Sequence, residues 1–285
     1  MMKLPEITRS LFFVACCLST TGFLFAQPNA ATPVAEAKGF YWVTFKDKAG
    51  TPYSVKKPEA FLSPKALARR KKIDAPVTNQ DLPVNPQYVS QLEKSGATVQ
   101  YTSRWFNAAT VNATEEVSKT LLSLPCVSSV TFVGKSPTAS VWKSKAPEGT
   151  FEAERKAVSI DSLHYGYADQ QIRQLNGHSL HALGYRGAGI TVAVLDGGFT
   201  SADKHYVFDS LRTKNLLIPA RDFVDNDWQV CESSSHGMQV LSVMGANQPG
   251  VLVGGAPNAA YVLVKTEDVR SEYRVEECNW IAGLE

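Results

Sequence analysis

No stretch of this 285-residue sequence reaches the roughly 18 consecutive apolar residues that a spanning helix needs, so no stable membrane span is expected. No charge of one sign dominates either. Lysine and arginine number 29 against 27 aspartates and glutamates, and the net charge of +2 is too near neutral to argue for nucleic acid or an acidic substrate as a partner. Repeats and low-complexity tracts are absent, which excludes an array architecture. What is present, 44% hydrophobic and 20% charged residues, suits a soluble globular protein of about two domains.

The N-terminus reads as an export signal. Lys3 and Arg9 give a short basic start, Leu11 to Phe25 is apolar but too short to span, and Ala26 offers a small-residue cleavage point. Residues 1–26 are read as a signal peptide, with Ala30 as an alternative cleavage point and a lipid-anchored Cys16 as a third reading. The chain is expected to be exported, to the periplasm, the cell surface or the extracellular space. Cys16 and Cys17 leave with the signal, and Cys126, Cys231 and Cys278 remain. That odd number becomes even if the part carrying Cys126 is later removed. Cys231 and Cys278 are then free to form a disulfide.

Residues 38–134 read as one small α+β unit. FYWVTF (40–45) is aromatic and β-branched, hence a strand. Ser63-Pro64 opens a short basic helix and Asn85-Pro86 opens a second one, each with a capping side chain followed by proline at the first helical position. ATVQYT, AATV and CVSSVTFV read as further strands, and Thr114 caps a helix that starts with Glu115 and Glu116. With the basic helix set aside the order is β-α-β-β-α-β, the ferredoxin-like arrangement. Residues 135–164 lack periodicity and carry several basic side chains, as a solvated, cleavable linker would. From residue 165 to 285 the strands become continuous apolar runs, Ile190 to Leu195 and Ala260 to Val264, alternating with helical stretches that begin near Gly237 and Val275. That pattern predicts an α/β fold with a parallel sheet covered on both faces.

Asp196 ends the first of those runs, in ITVAVLDGGF. A carboxylate there is costly unless something pairs with it. His236, 40 residues further on in SSSHGMQVLSVMG, is the natural partner. It stands at a helix N-terminus, where the dipole disfavours the imidazolium, and a buried carboxylate opposes that effect. A neutral histidine oriented by an aspartate is a general base.

AVLDGGF, SSSHGMQVLSVMG and GGAPNAAYVLVK, taken in order, resemble the first half of the subtilisin-like serine peptidases (subtilases). The matching positions are Asp196-Gly197-Gly198, His236-Gly237-Met238-Gln239-Val240 and Gly255-Ala256-Pro257-Asn258-Ala259, with the glycine turn GYRGAGITV upstream. The unit at 38–134 resembles that family's propeptide. The resemblance implies a subtilisin-like α/β catalytic domain, of which 165–285 is the N-terminal half, and a secreted precursor that hydrolyses peptide bonds. Asp196 would orient His236, and His236 would take the proton from a nucleophilic serine. The implied partners are protein or peptide substrates and the chain's own propeptide as an intramolecular inhibitor. No cofactor is implied, and structural calcium is compatible with the family.

This sequence departs from the family pattern at Met238 and Gly197, where threonine and serine or threonine are usual. The larger departure is the nucleophile. Residues 237–285 contain Ser242 and Ser271, and neither stands in the Gly-Thr-Ser-Met-Ala context. The oxyanion asparagine is also missing, and Asn258 belongs to the Ala-Pro turn. The chain is therefore expected to be a precursor cut short of its serine, and inactive as it stands. The alternative is a catalytically dead product acting as a propeptide-type inhibitor or folding aid. Other features are expected to be structural. His178 and His181 form an HxxH too weak for a metal site, and Asp222, Asp225 and Asp227 lack calcium-loop spacing and read as a solvated turn. Gly187-Ala188-Gly189 precedes its strand, the wrong side for a dinucleotide, and Arg69 to Lys72 is a solvated helix face.

Overall fold

The first strand, β1 (Lys38–Phe45), carries bulky side chains on both faces, and in the computed structural model both faces are covered. The structure describes residues 37–136 and 164–285, so the expected signal peptide and nearly all of the expected linker lie outside the described residues. Tyr41, Val43 and Phe45 point into one core, while Phe40 and Trp42 pack into another. The chain continues through α1 (Pro64–Lys72), α2 (Pro86–Lys94), β2 (Thr98–Ser103), β3 (Ala108–Thr114), α3 (Glu115–Leu122) and β4 (Val127–Lys135). The four strands make one antiparallel sheet in the order β2-β3-β1-β4, the ferredoxin-like arrangement expected. Leu92 of α2 and Leu121 of α3 seal its first face.

The helices start where the capping residues direct. Ser63 Oγ accepts from Ala66 N at 3.2 Å, Asn85 Oδ1 from Gln87 N at 2.9 Å, and Thr114 Oγ1 from Val117 N at 3.3 Å. The basic helix α1 buries none of its residues, although Arg70 pairs with the buried Asp81.

The second part runs α4 (Asp169–Gln174), α5 (Gly177–Ala182), β5 (Thr191–Asp196), α6 (Asp209–Thr213), β6 (Leu217–Asp222), α7 (His236–Gly245), the short pair β7 (Asn247–Gln248) and β8 (Leu252–Val253), β9 (Ala260–Lys265) and α8 (Val275–Leu284). Strands β5, β9 and β6 form a parallel sheet with β9 in the middle. β6 is not legible in the sequence, because Pro219 and Arg221 interrupt its apolar pattern. Proline is tolerated there because β6 is an edge strand among the described residues. Leu211 of α6 and Leu241 of α7 cover one face of the sheet, against Val194, Tyr261 and Leu263. The buried stripe of α7 is Gly237, Leu241 and Gly245, while Val243 is exposed. At Gly245 an added Cβ would lie 2.7 Å from the Tyr261 ring, so the glycine sets how closely α7 approaches β9.

Helix α8 covers the other face, with Gly283 against Leu195, Val264 and Thr266. Its far side packs on the antiparallel sheet, where Val275 and Cys278 join Val133, Phe40 and Trp42. One helix thus lies between the two sheets. Tyr101 of β2 reaches across: its hydroxyl donates to Asn279 Oδ1, and its ring meets Phe223 edge-on at 5.3 Å. Asn279 Nδ2 in turn donates to Thr266 O at 3.0 Å. Beyond α8, Glu285 accepts from Ser103 Oγ at 2.6 Å, Arg104 N at 2.9 Å and Trp105 N at 3.2 Å. Its carboxylate therefore holds the β2–β3 turn of the other sheet. Glu285→Ala is expected to destabilise the fold by about 2–4 kcal/mol, since it leaves those donors without their charged acceptor. A denaturant midpoint, together with amide exchange at Arg104 and Trp105, checks this. An unchanged midpoint with unchanged exchange at that turn would refute it.

The expected Cys231–Cys278 disulfide is not formed. Cys126, Cys231 and Cys278 are all free thiols. Cys231 packs on the core between α7 and the parallel sheet, whereas Cys278 faces the antiparallel sheet, so the two belong to separate clusters. Burial pushes the Cys278 thiol up to about 11 and raises Cys231 too, which keeps both protonated. Among the described residues no helix is long and apolar enough to cross a membrane.

Candidate active site

Asp196 is the last residue of β5 and His236 the first of α7, and the packing of α7 along β5 closes the 40-residue gap between them. His236 Nδ1 lies 2.9 Å from Asp196 Oδ2 and 3.1 Å from Oδ1. An ionised carboxylate only accepts, so Nδ1 carries the proton and the lone pair sits on Nε2. The Asp196 side chain is 7% exposed and that of His236 is 68% exposed. The orienting group is dry and the imidazole is open to a reactant. Asp196 also accepts from Gly197 N at 2.7 Å, and its own carbonyl accepts from Thr266 N at 3.0 Å. A buried charge at the end of an apolar strand is thereby satisfied.

The glycines around the pair follow from close approach. Gly198 has φ +145°, and a Cβ on it would sit 2.1 Å from Glu232 O. A Cβ on Gly237 would sit 2.6 Å from Gly198 O and 2.8 Å from Asp196 Cβ. Only glycine lets α7 begin this near the end of β5. Gly237 N donates to Gly198 O at 3.1 Å, which ties the helix start to the strand end.

All three parallel strands end in a charged residue: Asp196, Lys265 and Asp222. Lys265 is 2% exposed, and its Nζ donates to Asp222 Oδ2 and Asp225 Oδ2, each at 2.8 Å. Arg270 extends the network by bridging Asp225 and Asp268. Burial alone would lower the Lys265 pKa, but the two carboxylates outweigh it and hold the ammonium above its ordinary value. This network was missed in the sequence. Its signal was the same as that of Asp196, a charge closing an apolar strand.

The other candidates resolve as follows. Asp222 is fully buried, a correction to the solvated turn expected of Asp222, Asp225 and Asp227. Among the described residues the acids close enough to share a metal ion are Asp222, Asp225 and Glu232. The Lys265 ammonium sits against two of them, Asp222 and Asp225. His181 is buried, and its Nε2 donates to Gly255 O at 2.9 Å while Nδ1 accepts from the Tyr165 hydroxyl at 3.0 Å. It is a structural pin for the Ala-Pro turn, with both ring nitrogens engaged. Gly187 packs in the same turn, where a Cβ would meet Ala256 and Ala259 at 3.0 Å. Ser234 Oγ accepts from His236 N at 3.1 Å, and Ser242 Oγ donates to Gln239 O at 2.7 Å on the exposed side of α7.

A parallel α/β sheet thus presents an oriented imidazole at its strand ends, where open α/β sheets bind ligands, and an antiparallel α+β unit packs against it. Residues 40–149 match the peptidase S8 propeptide domain of Bacteroidota. Subtilisin E of Bacillus subtilis (strain 168) is 28% identical over 179 residues, covering 62% of this chain and 38% of that protein. Subtilisin J of Geobacillus stearothermophilus is 27% identical over the same span. The chain thus spans 38% of the length of these curated relatives. Among solved structures, fervidolysin from Fervidobacterium pennivorans aligns with 87% of this chain and 34% of its own, at 15% identity and a TM-score of 0.47. Residues 40–149 thus match a subtilisin-type (peptidase S8) propeptide, and the chain is similar to the subtilisins over 179 residues.

Proposed function

We propose that this chain is the propeptide-bearing N-terminal part of an exported serine endopeptidase, with Asp196 and His236 as the orienting and proton-transferring members of an Asp-His-Ser triad. The observation that carries this reading is the carboxylate–imidazole pair, with Nδ1 bound and Nε2 open. In the reaction Nε2 accepts the serine proton as the hydroxyl attacks the scissile carbonyl, and later returns it to the leaving amine. Asp196 stabilises the imidazolium formed between those steps. The chemistry runs on side chains alone and requires no cofactor. The propeptide serves as the intramolecular inhibitor and folding partner, and the docking of α8 between the two sheets supports that role. The substrates are proteins or peptides.

Residues 237–285 hold no serine in the family's nucleophile context, so the 285-residue chain by itself is expected to be inactive. A casein hydrolysis assay checks this. Turnover that disappears in His236→Ala would overturn the missing-serine account. The peptidase reading itself is tested on a form that also supplies a Gly-Thr-Ser-Met-Ala segment, which is expected to hydrolyse casein and to lose that activity in His236→Ala.

A further inference from the structure

We propose that an acidic cavity beside the Asp196–His236 pair is a subsite for a cationic side chain, arginine or lysine, of the peptide substrate. The proposal rests on the peptidase reading above and deepens it. The cavity measures about 680 Å³, and its wall includes Thr266, Glu267, Glu272, Glu276, Trp280 and, from the propeptide, Phe106. It adjoins the catalytic pair directly. Thr266 N is bonded to Asp196 O, and a Cβ placed on Gly197 would lie 3.7 Å from Glu267 Oε2.

Three observations select a cation of this size and shape. First, the negative charge is not spoken for. Asp268 is bound by Arg270, but Glu267, Glu272, Glu276 and Glu277 have no ion-pair partner among the described residues. Burial together with the neighbouring charge of Asp196 pushes the Glu267 carboxyl up, and burial together with Glu272 does the same to Glu276. A positive group entering the cavity relieves both. Second, Thr266 is fully buried on the cavity wall, and its Oγ1 has no hydrogen-bond partner; Glu276 Oε1 is likewise buried and unpartnered. Such groups carry a desolvation cost that a ligand N–H removes. Third, no three of these carboxylates fall within the 4.8 Å of one another that would suit a metal ion, whereas Trp280 and Phe106 are half-exposed aromatic residues of the wall. Spread acids with aromatic walls fit a planar guanidinium or an ammonium on a long apolar stem.

The test is a fluorescence-anisotropy titration of the full 285-residue chain. The probes are fluorescein-labelled alanine-glycine octapeptides carrying a single arginine, glutamine or glutamate. The arginine peptide is expected to bind about tenfold more tightly than the glutamine peptide, and the glutamate peptide most weakly. In Glu267→Gln/Glu272→Gln that advantage should fall below about threefold, with the melting temperature measured alongside as the control for folding. Trp280→Ala should reduce it independently. Equal binding of the arginine and glutamine peptides, or an advantage that survives the double substitution, overturns the proposal. So does saturable competition by calcium chloride at constant ionic strength, which would mark a metal site. Casein hydrolysis by the serine-supplied form separates the two readings. Activity without arginine preference sinks the subsite alone, and preference without activity sinks the peptidase reading.

Discussion

Asp196→Asn is expected to lower kcat for peptide hydrolysis on the order of 10⁴-fold in any form of this protein that also supplies the serine, with little change in KM. The amide keeps the shape of the side chain but can offer Nδ1 an N–H donor, which favours the tautomer with its proton on Nε2. His236 then has no lone pair facing the reactant. The effect is large because, among the described residues, the Asp196 carboxylate is the one hydrogen-bond partner of the His236 ring. Steady-state kinetics on the two forms checks the expectation. A loss below about tenfold would mean that His236 is held by something other than Asp196.

Lys265→Met is expected to destabilise the fold by about 3–5 kcal/mol, read as a drop in the denaturant midpoint. The substitution removes an ammonium from a site where Asp222 is fully buried and leaves that carboxylate without its counter-charge. The pair itself is a weak net stabiliser, so Asp222→Asn/Lys265→Met should recover most of the loss. The pH dependence follows from the raised lysine pKa. On the alkaline side the lysine's contribution is full near and below its unfolded value of about 10.4, while the carboxylates stay ionised, and fades as pH climbs through the higher folded value. A single substitution costing under about 1 kcal/mol would show that water reaches the network.

The sequence made the antiparallel unit legible because its signals are local. Ser63, Asn85 and Thr114 each cap the helix they precede, and the alternation in the strands does not depend on distant partners. Asp196 and His236 were legible because each stands at an element boundary where a charge or an imidazole needs an explanation. What escaped was set by tertiary context. Strand β6 contains Pro219 and Arg221 and is a strand only because β9 lies beside it. Asp222 looked like part of a solvated acidic turn until the fold brought Lys265, 43 residues away, against it. The thiols of Cys231 and Cys278 made an even pair in the count, yet the fold sends them to different clusters. Helix α8 shows little amphipathic pattern because both of its sides are covered, one by each sheet.

The central claim is that Asp196 fixes the His236 imidazole with its proton on Nδ1 and its lone pair outward. The most direct measurement is nitrogen-15 NMR of the histidine ring at neutral to mildly basic pH in the 285-residue chain, compared with Asp196→Asn. The account predicts a protonated Nδ1 and a bare Nε2 for neutral His236, with the preference lost or reversed in the variant. A His236 ring that carries its proton on Nε2 in the unaltered chain, or behaves identically in both proteins, would contradict it.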